Sequence, residues 1–182
     1  MPTARAIESS DRDSIRRFLL RRWGSATIML DGRAIDAAAL PGFIAYGEAA
    51  THDTEQRENG ANTNEPTSSR AIVGLATLLD DAEQSEIVTL DATVPRSGLG
   101  TVLVELAAQR ARALGLRQLL TRTTNDNLDA LRFYQRRGFR LHRLVAGAID
   151  LERTADPAIP LLGRHGIPLR DEISLLRSLY RE

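Results

Sequence analysis

The chain has 182 residues, of which 42% are apolar and 26% are charged, which is ordinary for a soluble globular protein. Its 24 basic and 24 acidic residues balance to a net charge of zero, which argues against nucleic-acid binding through a basic surface and against a polybasic membrane anchor. Cysteine is absent, which excludes disulfides, thiolate nucleophiles and cysteine-ligated zinc.

Length and the lack of targeting signals predict a single domain in the cytoplasm. A chain of this size forms about one domain, so we expect residues 1–182 to fold as one. No apolar run approaches the roughly 18 residues that span a bilayer, and residues 1–9 lack the layout of a signal peptide. The widely spaced histidines His52, His142 and His165 offer no metal triad, so we expect no metal.

Hydrophobic periodicity divides the first half of the chain into strands separated by helical and irregular segments. Residues 10–24 have the apolar spacing of a helix that ends at Gly24. Beyond it, Asp31–Gly32 predicts a turn and residues 35–40 predict a short helix. Strands are predicted over 4–8, 43–48, 70–79 and 86–94.

The second half of the chain alternates strands with two strongly periodic helices, predicted over 101–114 and 127–137. Further strands are predicted over 116–121, 139–145 and 173–179. The last of these segments also fits a short helix. Strand–helix alternation requires parallel or mixed pairing with helices on the faces of the sheet. We therefore predict an α/β fold with a central mixed sheet and helices on both faces.

Two segments interrupt this pattern. Residues 50–69 read ATHDTEQRENGANTNEPTSS, and with almost no large apolar side chain they cannot bury enough surface to become ordered. We interpret them as a mobile loop between two strands. The tail from about residue 155 is rich in proline and glycine. Both segments fit either a lid or a subunit contact, which leaves a homodimer open.

The most informative segment runs from Val94 to Thr101 and joins a predicted strand to a predicted helix. The first amides of a helix lack intrahelical partners, and the helix dipole adds about half a positive charge there, so this end attracts phosphate. Gly98 and Gly100 remove side chains that would keep a pyrophosphate from the backbone. A dinucleotide site needs a third glycine where Leu103 stands, and a P-loop needs lysine, which the chain lacks. A turn that binds nothing is the alternative.

This turn and the next 40 residues resemble the GNAT superfamily of acyl-CoA-dependent N-acetyltransferases. Gly98 and Gly100 match the two glycine positions of the family loop Gln/Arg-x-x-Gly-x-Gly/Ala. The family's next helix carries Asn-x-x-Ala-x-x-x-Tyr and then Gly-Phe, which this chain matches with Asn127, Ala130, Tyr134, Gly138 and Phe139. The resemblance covers residues 70–145 closely. It implies a GNAT-like fold that takes acetyl-CoA as its acyl donor.

The resemblance also implies which residues bind the cofactor. Pro95 occupies the family's Gln/Arg position and Arg96 follows it, so the phosphate contact is expected from Arg96 or from amides alone. Asn127 matches a residue whose side chain contacts the cofactor, with helix capping as the alternative. Amides of the preceding strand would pair with the pantetheine arm. The expected cofactor-binding residues are Ala92, Val94, Arg96, Ser97, Gly98, Leu99, Gly100, Thr101 and Asn127.

The implied reaction is direct acetyl transfer to a primary amine, since the absence of cysteine removes one acyl-enzyme route. The reaction needs a neutral amine, a stabilised oxyanion and a proton for the departing thiolate. Tyr134 matches the family tyrosine that serves as general acid, with a core aromatic role as the alternative. Glu86 resembles the catalytic glutamate of histone-type members and is the expected base. A solvated charge at Glu86, Asp91 as the base, or an ordered water are the alternatives.

The expected acceptor is a small-molecule or peptide amine, with no nucleic-acid or membrane partner. The family builds acceptor sites after its first helix and in its last strands, which gives the candidates Trp23, Arg33, Asp36, His142, Asp150 and Glu152. A non-catalytic acyl-CoA-binding or regulatory module is the rival interpretation. An enzyme that modifies an aminoacylated RNA or a protein N-terminus is a second rival, against which the neutral net charge argues in the RNA case.

Overall fold

The computed structural model describes residues 3–48, 70–94 and 97–180. The loop predicted at 50–69 and Arg96 therefore lie outside the described residues. The helices are α1 (Arg12–Trp23), α2 (Leu99–Ala113), α3 (Leu128–Gln135) and α4 (Ala148–Ala155). The strands are β1 (Ala4–Ala6), β2 (Thr27–Leu30), β3 (Arg33–Asp36), β4 (Gly42–Glu48), β5 (Arg70–Asp80), β6 (Gln84–Ala92), β7 (Gln118–Thr124), β8 (Arg140–Val145) and β9 (Glu172–Ser178). None of the helices within these ranges is long and apolar enough to cross a membrane.

Seven of the strands form a mixed sheet in the order β1-β4-β5-β6-β7-β9-β8. Strands β6 and β7 are parallel, whereas β9 is antiparallel to both β7 and β8. The predicted mixed sheet is confirmed, and the segment predicted over 173–179 is a strand. The order along the chain did not indicate that this last strand separates β7 from β8.

The chain divides into two compact units, each described here by itself. The first unit comprises Met1–Thr77 and Thr89–Leu106, and the second comprises Leu78–Val88 and Ala107–Glu182. That residues 1–182 form one domain stays a prediction.

In the first unit, a hairpin takes the first two residues of the short helix predicted over 35–40. Asp31 and Gly32 have φ angles of 49° and 75°, so the predicted turn has two consecutive left-handed residues. Such a turn matches the twist of paired strands, and it joins β2 to β3. The helical part shrinks to a 3-10 turn at Ala37–Ala39, which the Asp36 side chain caps by accepting from the Ala38 amide.

Two apolar clusters hold the elements of the first unit together. One joins the buried face of α1, including Ile15 and Leu19, to Ile44 and Leu75 of the sheet. The other joins Leu99 and Leu103 of α2 to the strand residues Ala45, Val73 and Ala76. Removing these side chains from water is what stabilises the packing of both helices, at roughly 25 cal/mol per Å² of apolar surface buried.

The second unit contains α4, which we did not predict. It begins after the left-handed residue Gly147, whose φ is 72°, and it has only eight residues. Ile149 is buried while Leu151 is exposed, so too few apolar side chains face the core to give a recognisable period. Helix α3 begins at Leu128 with Asn127 as its N-cap, within one residue of the predicted start.

Candidate active site

The turn between β6 and α2 is stabilised by its own polar groups. The Ser97 hydroxyl donates to the Val94 carbonyl oxygen at 2.8 Å and accepts from the Leu99 amide at 3.4 Å. The Gly98 carbonyl oxygen accepts from the Thr101 and Val102 amides at 2.9 and 3.1 Å. These bonds start α2 at Leu99, two residues earlier than predicted. They fix the backbone of the turn without using any charged side chain.

Gly98 gives this turn its open face. Its φ is 81°, a conformation that side chains rarely adopt, and a Cβ placed there would have no heavy atom within 4 Å. The side chain of Leu99, in contrast, points into the core and is 3% exposed. Gly74 on β5 makes that packing possible, since a Cβ at Gly74 would lie 2.6 Å from Leu99 Cδ2. The backbone at Gly98 is therefore open to approach, and Gly74 is a supporting residue that the motif did not indicate.

Asn127 caps α3, as its alternative interpretation expected. Its Oδ1 accepts from the Ala130 amide at 3.3 Å and from Arg164 Nη1 at 3.0 Å. Among the described residues its side-chain nitrogen has no hydrogen-bond partner. Capping and a donated bond to a cofactor are therefore compatible, because they use opposite ends of the same amide.

The residues just before Asn127 anchor the C-terminal segment of the chain instead of capping α3. Asp126 is buried, bonds to the Thr124 hydroxyl, and accepts from the Arg164 amide at 2.7 Å. Asn125 accepts from the amides of Arg170 and Asp171 at 3.1 and 3.0 Å. Part of the tail, interpreted from its proline and glycine content as irregular, is thereby held against the loop between β7 and α3.

Tyr134 is buried and keeps its proton at neutral pH. Burial raises the pKa of its phenol to about 12, although a hydrogen bond shared with the Thr121 side chain acts in the opposite direction. Its ring meets Phe133 and Phe139 edge to face, with centroids 5.1 and 5.2 Å away. Tyr134 thus has the packing of a core aromatic while its hydroxyl is held at a defined position on β7.

That position is the point where the parallel pairing of β6 and β7 stops. The register runs from Gln84 opposite Gln118 to Ile87 opposite Thr121, and no later pair is found among the described residues. Thr121 Oγ1 also donates to the Ile87 carbonyl oxygen at 3.4 Å. The Tyr134 hydroxyl is therefore connected to the last pair of this ladder.

Glu86 is buried, so it is not the solvated strand-end charge that was its alternative. Arg122 Nε lies 2.9 Å from Glu86 Oε1, and Arg122 Nη2 donates to Oε2 at 3.4 Å. Arg122 Nη1 also lies 3.6 Å from Oε1 of Glu172. No local pattern indicated this ion pair, because its members are 36 residues apart along the chain.

The side chains of Glu86 and Tyr134 lie on opposite faces of the β6–β7 ladder. Glu86 is paired with Leu120, and Thr121 follows on β7. Since successive strand residues point to opposite faces, the side chain of Glu86 points away from the face that carries Thr121 and Tyr134. The structure does not bring the two predicted catalytic side chains together on one face.

Asp91, the alternative base, has the partners that an acid inside an apolar strand requires. Its carboxylate accepts from Arg22 Nε and Nη2, both at 3.1 Å, and from the Trp23 indole nitrogen at 3.2 Å. All three donors come from the last turn of α1. Trp23, a candidate acceptor residue, is therefore positioned by Asp91.

The remaining acceptor candidates have mostly local partners. Asp36 pairs with Arg16 at 2.7 Å, and Asp150 pairs with Arg153 at 2.5 Å. Burial, and then the negative charge of Glu172, raise the pKa of Glu152. Arg33 and His142 are exposed. Within the described ranges, no group of three or more potential metal-binding side chains was found.

Comparison with known proteins identifies the family. The model of the acetyltransferase (GNAT) family matches residues 46–139, a range that contains both the glycine turn and the Asn-Ala-Tyr-Gly-Phe motif. The uncharacterized protein YxbD of Bacillus subtilis is 33% identical over 168 residues, which cover 92% of this chain and 93% of that protein. The chain belongs to the GNAT acetyltransferase family.

Solved structures agree with this GNAT assignment. A Bacillus subtilis acetyltransferase in complex with CoA has a TM-score of 0.64 and 16% identity, over 99% of this chain and 100% of that one. A GNAT acetyltransferase from Elizabethkingia anophelis with acetyl-CoA bound has a TM-score of 0.59 and 17% identity, over 97% of both chains. At these identities the likeness shows the fold, and it confirms the predicted GNAT fold.

Proposed function

We propose that this GNAT protein transfers an acetyl group from acetyl-CoA directly to a primary amine. The observation that carries the proposal is the Tyr134 hydroxyl, which is buried, keeps its proton and is bonded to Thr121 where the β6–β7 pairing ends. A protonated hydroxyl at the point where the strand pairing ends can donate its proton to a leaving group, which is the role of a general acid. Bound acetyl-CoA supplies a thioester, whose sulfur leaves as a thiolate.

The cofactor residues are proposed as the motif implies. Ala92 at the end of β6 and Val94 just beyond it offer backbone groups to the pantetheine arm. The turn from Ser97 to Thr101 binds the pyrophosphate through the amides of Ser97, Gly98 and Gly100, because the Leu99 and Thr101 amides already donate within the turn. The open, left-handed backbone at Gly98 supports this role. Arg96 adds a cation for the phosphates. Asn127 donates to the cofactor from its side-chain nitrogen, because capping uses only its Oδ1.

The acid and the base have different tasks in this proposal. Tyr134 donates its proton to the departing thiolate, and Thr121 orients the hydroxyl. Glu86 takes a proton from the acceptor ammonium, so that the neutral amine can attack. The amine nitrogen and the thiolate sulfur are bonded to the same carbon in the tetrahedral intermediate, so the acid and the base must both reach it. The proposal therefore places the acetyl group beyond the pair Ile87 and Thr121, where the β6–β7 pairing ends.

The donor is tested by thermal-shift titration with acetyl-CoA, free CoA and NAD. At 100 times the dissociation constant, a ligand that binds only the folded state adds about 2.7 kcal/mol of stability. We expect a shift with both CoA species and none with NAD. The absence of a shift with every acyl-CoA would contradict the proposal.

Gly98→Asp tests the turn in the same assay. A carboxylate at this point places a side chain and a negative charge where the phosphate binds, so we expect at least a 100-fold loss of affinity for acetyl-CoA. Gly115→Asp is the matched control, since Gly115 lies beyond the other end of α2 with φ 78° and the same open surroundings. Equal affinities in the two variants would refute the pyrophosphate assignment.

Tyr134→Phe separates an enzyme from a binding module. With a panel of primary amines as acceptors, we expect turnover to fall by about 100-fold or more, because a general acid contributes roughly 10²–10⁴ in rate. Affinity for acetyl-CoA should be retained. Tyr180→Phe, at an exposed tyrosine, is the control. Cofactor binding without turnover of any amine by the wild type would favour the regulatory module.

A further inference from the structure

The guanidinium of Arg122 lies between two carboxylates. It contacts Glu86 at 2.9 and 3.4 Å and Glu172 at 3.6 Å. The exposed fraction of the Glu86 side chain is 10%, and those of Arg122 and Glu172 are 20% each. One largely buried guanidinium therefore contacts two carboxylates.

Strand register places these three side chains in a row. Glu86 is opposite Leu120 on β7, and Arg122 is two residues further along that strand. Arg122 is opposite Ser174 on β9, and Glu172 is two residues from Ser174. Residues that are paired, or two apart from a pair, share one face and lie within reach of long side chains. The row thus crosses three adjacent strands on the face away from Thr121.

Proton uptake by Glu86 would be opposed if Arg122 had no second counter-ion. A buried cation that loses its partner is strongly unfavourable, and protonation of Glu86 removes the charge that Arg122 contacts. The Glu172 carboxylate lies 3.6 Å from the same guanidinium and remains beside it when Glu86 takes up a proton. Its negative charge also disfavours a second negative charge on Glu86.

We infer that Glu172 is a positioning residue for Glu86, which acts through Arg122 and keeps a carboxylate beside the guanidinium when Glu86 accepts a proton. The inference rests on the proposed role of Glu86 as base. In the step itself, one proton moves from the ammonium nitrogen of the acceptor to a carboxylate oxygen of Glu86. The N–H electron pair stays on the amine, and Arg122 keeps its charge throughout.

The charged groups connected to Glu86 through Arg122 come from three elements. Arg122 lies on β7 and Glu172 on β9. On α4, Glu152 adds an acid whose pKa is raised by burial and by Glu172. The Arg122 cation in direct contact with Glu86 favours the ionised carboxylate, and the two acids connected through Arg122 act in the opposite direction.

Carbon-13 NMR titration of the glutamate side-chain carboxyls tests the coupling without an acceptor. Glu86→Gln assigns the Glu86 signal by its disappearance. In Glu172→Gln we expect the pKa of Glu86 to fall by about one unit, because a neighbouring negative charge is lost while Arg122 stays in contact with Glu86. Glu172→Asp keeps the charge and should restore most of the wild-type value. Glu83→Gln, at an exposed glutamate of the same unit, is the charge-matched control.

A Glu86 pKa that stays within about 0.2 units in Glu172→Gln, or that falls equally in Glu83→Gln, would overturn the inference. Turnover tests the base separately. The acidic limb of the kcat/KM profile should move to lower pH in Glu172→Gln and disappear in Glu86→Gln. An unchanged limb in Glu86→Gln would overturn Glu86 as the base, whereas the NMR result reports on the coupling alone.

Discussion

Asp11 in the first unit and Glu86 in the second are both buried carboxylates held by an arginine, and their surroundings differ. Asp11 accepts from Arg5 Nη1 and Nη2 at 2.7 and 2.8 Å, from the Tyr46 hydroxyl at 2.9 Å and from the Glu8 amide at 2.8 Å. These donors, with the Arg5 bond first, lower its pKa to about 2. The guanidinium that Glu86 contacts is instead shared with Glu172.

The difference between these two sites shows how to distinguish a buried carboxylate that stabilises the fold from one that can exchange a proton. Four donors keep Asp11 ionised at any physiological pH, so it can stabilise the fold and cannot exchange a proton. A carboxylate that shares its cation with a second acid can change its charge while the cation stays paired. Removing each acid in turn shows whether this distinction holds.

The largest expected effect is on turnover, in Glu86→Gln. Loss of the general base should lower kcat with amine acceptors by about 100-fold or more, while the free energy of unfolding changes by about 1 kcal/mol or less. Initial rates and denaturant titration measure the two quantities, with Glu83→Gln as the control. A rate within about twofold of the wild type would show that Glu86 does not act as the general base.

Asp11→Asn should change stability instead. A folded-state pKa of about 2 against an ordinary value of 3.8 corresponds to about 2 kcal/mol at neutral pH, which this variant should lose. Because the folded-state pKa is lowered, this stabilisation is present above about pH 4 and is lost as the pH falls toward 2. The wild type should therefore lose more stability than Asp11→Asn across that window.

Urea titrations from pH 7 to pH 2 measure this difference. Asp13→Asn, at an exposed aspartate in the first turn of α1, is the control and should cost less than 1 kcal/mol. Equal losses in the two variants would show that the donors around Asp11 do not determine its contribution.

Asp91→Asn should have the smallest effect on the free energy of unfolding, and it tests a structural carboxylate that is held less tightly than Asp11. Asp91 has three donors at 3.1 to 3.2 Å, longer than those of Asp11, and Arg22 is half exposed. We therefore expect a loss of about 1 kcal/mol. Trp23 is the only tryptophan of the chain, so its emission reports the change directly. Unchanged acrylamide quenching of Trp23 would contradict the proposed link between Asp91 and the end of α1.

Elements with a strong local pattern were predicted to within about two or three residues. The helix predicted over 101–114 is Leu99–Ala113, and the strand predicted over 70–79 is Arg70–Asp80. Strand 4–8 ends at Ala6, because the Glu8 amide instead donates to Asp11 at the start of a 3-10 turn. This hydrogen bond joins a side chain to the backbone, so it produces no hydrophobic pattern from which it could have been predicted.

The residues of the candidate site also divide into those that local motifs predicted and those that depend on tertiary contacts. Gly98 and Tyr134 were found from motifs, because a left-handed turn needs glycine and the tyrosine has a fixed spacing from Asn127. The roles of Gly74, Asp126 and Arg122 were not found, since each depends on a contact with a residue far along the chain.

The sequence by itself determined the glycine turn, the two long periodic helices and the spacing from Asn127 to Tyr134, because hydrophobic periods and turn preferences act between residues a few positions apart. Only the tertiary structure decided that β9 lies between β7 and β8, and therefore that Glu172 shares Arg122 with Glu86. Strand order and register depend on which surfaces fit together after the chain has folded. A shift of one residue would move every side chain of β9 to the other face, and with it the second counter-ion of Arg122.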